Sequence, residues 1–187
     1  MSKNFKRIIA FDNDKHKYFE FSNFYPIELN INVKNNLTNK FENIKFNSIE
    51  QFYQSEKFND NNNINQIYRK FIILANTPKK AHLLGKRKKF IYNWPLNNNS
   101  KYTIKYIVDK YKNLVNVRKD WNKIKNNILL KGLKIKFNDD KLKKLLLNTN
   151  NLVLVENSIG VWGMKNNKLG NALMIVRDNL NKNSNSN

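Results

Sequence analysis

The stretch SIEQFYQSEKF, residues 48–58, marks the point at which the pattern of apolar residues changes from strand to helix. Ser48 followed by Gln51 matches the capping box, in which the serine side chain accepts a hydrogen bond at the start of a helix. We therefore expect a helix that has Ile49 as its first residue and Glu50 as its second. The residues before this stretch favour short strands, and most of those after it favour helices.

A polar stripe runs along this predicted helix and consists of Glu50, Gln54 and Lys57. At 3.6 residues per turn, the three side chains point within roughly 60° of one another. The apolar residues of the stretch lie on another side of the helix. Charged residues of a helix usually face water, so the stripe is either a solvated face or the lining of a pocket. The pattern alone leaves both interpretations open.

Short strands are predicted in the first fifty residues, where aromatic and β-branched residues are frequent. These strands cover residues 6–11, 18–21 and 27–33. Further helices are predicted at residues 64–74, 77–85, 118–137, 139–147 and 169–180, and a β-like run at residues 152–155. The pattern indicates one compact, mainly helical α+β domain over residues 1–180, followed by a disordered polar tail at residues 181–187.

Residues 86–117 form a basic segment that is rich in aromatic residues. Its aromatic residues are Phe90, Tyr92, Trp94, Tyr102, Tyr106 and Tyr111. Basic residues interleaved with aromatic rings are typical of surfaces that hold single-stranded nucleic acid, so the segment could be such a contact or a lid. It could equally be a drifting insertion, because an AT-rich genome fills neutral sequence with Lys, Asn and Tyr.

The net charge of the 187-residue chain is +21, from 35 Lys and Arg against 14 Asp and Glu. A charge of this size attracts polyanions such as nucleic acid, nucleotides or an anionic membrane surface. However, 38 residues are Asn, a composition that an AT-rich genome imposes wherever selection allows. We therefore expect an anionic ligand, at most a weak electrostatic association with nucleic acid, and no obligate protein partner.

Cysteine is absent and histidine is rare, which excludes several kinds of site. Without cysteine there are no thiol nucleophiles, disulfides or thiolate-bound metals. The two histidines, His16 and His82, are too few for a multi-histidine metal site, and neither has an acidic partner at helical spacing. We therefore predict no metal and no cofactor, and expect both histidines at the surface or its boundary.

Apolar runs are short throughout the chain. None approaches the roughly 20 residues that a membrane-spanning helix needs. The N-terminal residues lack the apolar core of a signal peptide, because Asp12 and Asp14 follow the first apolar run almost at once. We expect a soluble protein of the cytoplasm that does not associate with membranes.

Eight short motifs follow one another along the chain. They are FSNF at residues 21–24, the helix SIEQFYQSEKF, A-x-x-x-G at 81–85, Trp121 opening a helix that ends in KF at 136–137, L-x-x-T at 146–149, LVE at 154–156, WG at 162–163 and LGNALMIVRDNL at 169–180. In this order the series resembles the NADAR superfamily and, within it, the YbiA-like N-glycosidases. The resemblance covers roughly residues 20–180.

The resemblance implies a mainly helical α+β fold and hydrolysis of an N-glycosidic bond between a ribose and an amine-bearing base. The substrates that it implies are phosphorylated aminopyrimidine intermediates of the riboflavin pathway or, in other branches, ADP-ribose attached to guanine in nucleic acid. A non-catalytic nucleotide or nucleic-acid binding module is the alternative from another class, and its basis is the net charge and the segment at residues 86–117.

The candidate catalytic residues are Glu50 and Lys57. Cleavage of an N-glycosidic bond builds positive charge on the ribose, which a carboxylate can stabilise, or the carboxylate can activate water. Glu50 suits this role at a helix start, although acidic residues are also common there because they stabilise the helix. Lys57 could neutralise a phosphate or act as an amine on the opened sugar, or it could be a solvated lysine. Gln54 more plausibly orients Glu50 or the base than reacts.

Three further residues are candidates for binding the base or ribose. Trp121 could stack on the heterocycle, or it could be a core anchor of its helix. Asn23 could hydrogen-bond the base or ribose, or merely shape a turn. Trp162, in the WG motif, is counted with them on the strength of the resemblance.

The C-terminal motifs supply the remaining candidates. Glu156 is a second carboxylate or a member of a buried salt bridge. Gly170 lies in a turn that opens a helix, where free backbone amides could hold a phosphate. Arg177 could pair with a phosphate or with Glu156.

Two features depart from the family pattern. After the WG motif the chain has Met164 and Lys165, where the family more often has acidic or glycine-rich sequence. Residues 86–117 are also a long segment where relatives can be much shorter. Any role that depends on the acid that the family more often has after the WG motif is therefore absent here.

Overall fold

The computed structural model describes residues 7–12, 17–86, 109–111, 113–158 and 163–184. As predicted, the structure is mainly helical α+β with a few short strands. Its elements in chain order are β1 (Ile8–Phe11), a 3-10 turn (Phe19–Phe21), β2 (Leu29–Lys34), β3 (Phe41–Phe46), α1 (Ile49–Glu56), α2 (Asn63–Ile73), α3 (Pro78–Gly85), α4 (Trp121–Lys136), α5 (Asp140–Leu147), β4 (Val153–Glu156) and α6 (Lys168–Ser184). The chain forms two compact units. The first comprises Met1–Tyr25 and Leu133–Asn187, and the second comprises Pro26–Gly132.

In the second unit, β2 and β3 form an antiparallel hairpin. Leu29, Ile31 and Val33 of β2 are buried and alternate with exposed residues, the period-2 pattern of a strand with one face on a core. The sequence predicts β2 but misses β3. Most of β3 is exposed or half-buried, so its apolar and polar residues show no clear strand pattern.

All eight residues of α1 are buried. As the capping box predicts, the Ser48 hydroxyl accepts a hydrogen bond from the Gln51 backbone N–H at 3.1 Å. The Gln51 side-chain oxygen accepts from the backbone N–H of Asn47, one residue before the cap, at 2.6 Å. Its amide nitrogen donates to backbone carbonyls at the end of α2, including that of Ala75. These bonds fix the start of α1 and dock it against α2.

Helices α2 and α3 also begin at side-chain caps. The Asn62 side chain accepts from two backbone N–H groups of α2, and Thr77 caps α3, whose first residue is Pro78. A cluster of buried residues in this unit comprises Phe58, Tyr68, Ile72, Ala75, Ala81, Leu84 and Val115. Tyr111 packs against the same cluster. The end of the basic segment therefore contributes to the core, whereas its predicted lid or nucleic-acid contact at residues 87–108 lies outside the described residues.

The first unit contains a parallel pair of strands, in which Ile8 of β1 lies opposite Val153 of β4. The predicted strand at residues 18–21 is wrong. Tyr18 has a left-handed backbone with φ 69, and the Phe21 N–H donates to the Tyr18 carbonyl at 3.0 Å, so the chain turns here. The turn buries Phe21, whose ring meets the Phe11 ring edge-on at 5.7 Å.

The C-terminal helix α6 continues to Ser184, so the predicted disordered tail is wrong for residues 181–184. The prediction ended the helix at the last apolar residue, but polar residues sustain a final exposed turn equally well. Residues 185–187 lie outside the described part of the chain. Within the described residues, no helix has the combination of length and apolarity required to cross a bilayer.

Candidate active site

Glu50 is the buried carboxylate at the start of α1, with only 5% of its surface exposed. Its Oε1 atom lies 2.7 Å from the donating Nε2 of Gln54, one turn further along the helix. The same Oε1 atom lies 2.5 Å from Nδ1 of His82 on α3. Among the described residues, no hydrogen bond reaches Oε2. The polar stripe at Glu50 and Gln54 is therefore not a solvated face.

Gly85 explains how α1 and α3 approach closely enough for these contacts. A Cβ atom at Gly85 would lie against the Gln54 side chain, including its Oε1 atom and, at 2.9 Å, its Cβ atom. The Gln54 Oε1 atom is buried and accepts no hydrogen bond from the described residues. The orientation of this amide is therefore fixed by its Nε2 bond to Glu50 and by the surface of α3.

Tyr53, Trp121 and Lys57 lie next to one another in the same unit. The Tyr53 and Trp121 rings meet edge-on with their centroids 4.8 Å apart, and Trp121 is 9% exposed. Lys57 Nζ lies 6.0 Å from the centroid of the Tyr53 ring. Burial, and then the charge of Glu50, raises the pKa of Tyr53 above its ordinary value of 10.0, so its hydroxyl stays protonated.

His82 contacts Glu50 beside Gln54, and its place in the candidate site is not predicted from the sequence. It is a boundary residue, with 28% of its side chain exposed, and it has an acidic partner that does not lie at helical spacing. The partner, Glu50, is 32 positions away on another helix, so no test of helical spacing could find it. The available signal was that His82 lies inside the A-x-x-x-G motif.

Asn23 lies in the first unit, directly after the 3-10 turn. Its side chain is buried and its Oδ1 atom accepts no hydrogen bond from the described residues. The neighbouring Ser22 hydroxyl accepts from the Phe24 N–H at 3.1 Å. Asn23 thus has an unused acceptor in a tight turn, and its predicted contact with a base or ribose stays a prediction.

Lys136 supports this turn from the end of α4. Its side chain is fully buried, and Nζ donates to the Ser22 carbonyl at 2.8 Å and lies 5.2 Å from the centroid of the Tyr25 ring. Burial lowers the pKa of Lys136 to about 7, against a smaller opposite effect of Glu20. The sequence signal was the KF motif, which showed that a lysine was present but not that it was buried.

Two C-terminal candidates have clear structural roles in the first unit. A Cβ atom at Gly170 would collide with the Leu154 carbonyl, so the glycine allows α6 to pack against β4. Arg177 Nη1 donates to Thr149 Oγ1 at 2.7 Å and to the Leu152 carbonyl at 2.9 Å, and burial lowers its pKa. Phosphate binding by either residue stays a prediction.

Glu156 and Trp162 complete the predicted set. Glu156 is the last residue of β4, opposite Phe11, and its backbone N–H donates to Asn167 Oδ1 at 3.2 Å. Trp162 lies outside the described residues. Four predicted residues, namely Glu50, Gln54, Lys57 and Trp121, therefore belong to the second unit, where α1 and α4 carry them.

Comparisons with known proteins address the family directly. The model of the NADAR domain matches residues 10–181, and thus runs through both units. The solved NMR structure of the E. coli protein YbiA is similar to this chain, with a TM-score of 0.68 and 23% sequence identity over 97% of this chain and 89% of YbiA. Among curated proteins, no relative matches the chain. The length of the family match and the shared fold lead to one conclusion: this chain belongs to the NADAR family.

Proposed function

We propose that this protein is an N-glycosidase in which Glu50 is the catalytic carboxylate. The observation that carries the proposal is the geometry of Glu50: a buried carboxylate with Gln54 and His82 both at Oε1 and no hydrogen bond to Oε2 within the described residues. The association of the NADAR family with N-glycosidase activity supports it.

In the proposed reaction, water replaces the base at the anomeric carbon of a ribose. The electron pair of the C–N bond leaves with the base, positive charge develops on the ribose, and the water oxygen forms the new C–O bond. The water gives up one proton, and the departing base takes up one. Glu50 either stabilises the developing positive charge or takes the proton of the attacking water.

The neighbours of Glu50 fit the rest of the substrate. We place the heterocycle beside Trp121, which is 9% exposed and meets the Tyr53 ring edge-on. Lys57, beside the Tyr53 ring, is the nearby cation for a phosphate, or an amine that reacts with the opened sugar. Asn23, Glu156, Trp162, Gly170 and Arg177 remain proposed substrate-binding residues.

The favoured substrate is a phosphorylated aminopyrimidine riboside of the riboflavin pathway. ADP-ribose attached to guanine in nucleic acid is the second candidate, and the net charge of +21 favours it because a polyanion would be attracted to the protein. If this charge acts only diffusely, nucleic-acid binding will collapse as the salt concentration rises.

The proposal is tested by incubating the purified protein with aminopyrimidine ribosyl phosphates and, separately, with ADP-ribosylated DNA. Release of free base or of ADP-ribose is followed by chromatography, with and without a chelator. Release from either substrate that Glu50→Gln abolishes supports the N-glycosidase. Salt-resistant binding of single strands without any release would instead favour the non-catalytic binding module.

A further inference from the structure

His82 and Glu50 form a carboxylate–histidine pair that joins α3 to α1. Nδ1 of His82 lies 2.5 Å from Oε1 of Glu50, whose side chain is 7% exposed. The proposed function requires Glu50 as a carboxylate, which can only accept hydrogen bonds, and in that state Nδ1 carries the hydrogen in this contact. The imidazole is held in one tautomer by this contact, with its Nε2 on the other side of the ring.

The two side chains that contact the Glu50 carboxylate, those of Gln54 and His82, meet the same oxygen. Gln54 Nε2 donates to Oε1 at 2.7 Å from along α1, and His82 approaches Oε1 from α3. Contacts from two different helices at Oε1 restrict the rotation of the carboxylate, and no hydrogen bond from the described residues reaches Oε2. A carboxylate with only the Gln54 contact could rotate about its side-chain bonds.

Contacts other than this pair also hold α3 in place. The Gln54 side chain already fills the space beside Gly85, and the Tyr68 hydroxyl donates to the Leu84 carbonyl at 2.8 Å, which docks α3 against α2. His82 is 28% exposed and is absent from the buried apolar cluster of this unit.

We propose that His82 is a positioning residue for the proposed N-glycosidase: through Nδ1 it orients the Glu50 carboxylate so that Oε2 faces the ribose. This inference rests on the proposed function. It assigns to His82 an effect on turnover, not on substrate affinity, because His82 acts through Glu50 and not on the substrate.

The test uses three variants that separate the nitrogen from the bulk of the side chain. In His82→Asn the amide nitrogen occupies the position of Nδ1, whereas in His82→Gln it occupies that of Nε2. His82→Leu keeps bulk without a donor. A hydrogen bond to a charged group corresponds to a change on the order of ten- to a hundredfold, so we expect kcat to fall by that factor in the Gln and Leu variants. We expect His82→Asn to keep kcat within a few-fold of wild type, and KM to stay unchanged in all three.

The outcomes are decisive in both directions. If the wild type turns over its substrate and all three variants match it, or if Asn is as slow as Leu while folded, the inference is overturned. A change confined to KM also overturns it. Should the Leu variant fail to fold, the comparison of Asn with Gln decides. No turnover by the wild type would overturn the proposed function, and this inference with it.

A spectroscopic measurement tests the geometry independently of activity. The chain has two histidines, so a ¹⁵N NMR spectrum of the imidazoles is assigned by comparison with His82→Asn. We expect the hydrogen of His82 on Nδ1 in the wild type. A hydrogen found on Nε2, with Nδ1 bare, would show that the contact with Glu50 does not exist as described and would overturn the inference.

Discussion

The two ends of α1 each bury a glutamate, and the two carboxylates are held in opposite ways. Glu56, 4% exposed, meets Arg69 through Oε1 at 3.3 Å, and Asn59 donates to both of its oxygens. Glu50, 5% exposed, meets His82 and Gln54 at the same oxygen, Oε1, and no other described residue forms a hydrogen bond with its carboxylate. Residue type, helix and burial are the same, but the partners differ.

This difference separates a structural carboxylate from the one that we propose to react. Arg69 neutralises Glu56, and Asn59 also donates to the Lys34 carbonyl, so this end of α1 is tied to α2 and to the hairpin. A carboxylate whose oxygens are both engaged has little left to offer a substrate. At the other end, no hydrogen bond from the described residues reaches Oε2 of Glu50. Burial therefore does not distinguish the two acids, whereas the distribution of their described donors does, and it is the basis for proposing Glu50 as the reactive one.

The largest expected effect is on stability, at the structural end. Glu56→Gln removes the closer and more buried of the two carboxylates that face Arg69 and leaves only Glu42, 3.7 Å away, to compensate the buried guanidinium. We expect this to cost about 3 kcal/mol in the free energy of unfolding. Denaturant unfolding measures this. The turnover of the folded fraction should stay near wild type. If Glu56→Gln instead loses activity while keeping full stability, the distinction between the two ends fails.

The second effect is on rate, at the opposite end of α1. Glu50→Gln keeps the shape of the side chain but removes the charge that stabilises the ribose cation, so turnover should fall on the order of 10²–10³-fold. Steady-state kinetics measure the loss, and circular dichroism checks the fold. The matched control is Glu28→Gln, at an exposed glutamate that pairs with Lys45. Near wild-type turnover in Glu50→Gln would leave Glu50 as a helix-start residue only.

A third buried ionisable residue extends the comparison to the first unit. The pKa of Lys136 is lowered to about 7, so between about pH 7 and its ordinary value of 10.5 the unfolded chain binds a proton that the folded chain lacks. Stability should therefore rise with pH in this window, by up to about 1.4 kcal/mol per pH unit, and show no dependence on this group below about pH 7, where both states bind the proton.

Lys136→Met should abolish that slope, which is read from the difference between variant and wild-type unfolding free energies at several pH values. Lys134→Met, two residues earlier in α4, is the control because the same substitution there leaves Lys136 in place. Equal pH slopes in wild type and Lys136→Met would mean that this lysine stays charged in the folded protein.

A smaller effect distinguishes the two proposed roles of Lys57. If it only neutralises a phosphate, Lys57→Met should raise KM about tenfold and leave kcat unchanged. If it acts as an amine on the sugar, kcat should fall as well. Lys70→Met, at an exposed lysine in the last turn of α2, is the matched control. Unchanged kinetics in both variants would make Lys57 a solvated lysine.

The smallest effect is expected at a surface ion pair, and it is the baseline against which the effects of the other substitutions are compared. The Glu28–Lys45 pair is more than half exposed on both sides, and such surface pairs contribute at most about 1 kcal/mol. Glu28→Gln should therefore change the unfolding free energy by less than that, in thermal or denaturant unfolding. A larger loss would show that charge alone, regardless of burial, accounts for the behaviour of Glu56.

The elements that the sequence predicts well are those with local signals. Ser48 and Gln51 fixed the start of α1, and Thr77, Pro78 and Gly85 fixed both ends of α3. Such signals act within one turn and need no knowledge of the rest of the chain. The parallel pairing of β1 with β4 joins segments more than 140 residues apart, which no local pattern encodes.

In the candidate site, too, the features with local signals are predicted and those that depend on long-range packing are not. The grouping of Glu50, Gln54 and Lys57 follows from helical spacing, and Trp121 was found through the order of motifs. His82 was missed because its contact with Glu50 depends on how α3 packs against α1. The burial of Lys136 was missed for the same reason, since a lysine in a basic chain is expected in water.

Gly85 has a consequence for how this sequence can change over evolution. A side chain at position 85 would meet not only the end of the Gln54 side chain but also its Cβ atom, at 2.9 Å. Trimming residue 54 to any smaller side chain would therefore not make room, and only a separation of α3 from α1 would. In a deep mutational scan, position 85 should tolerate no substitution. Smaller side chains at position 54 should not compensate for one. Changes in the residues near Gly85 will therefore be limited to those that keep the backbones of the two helices in place.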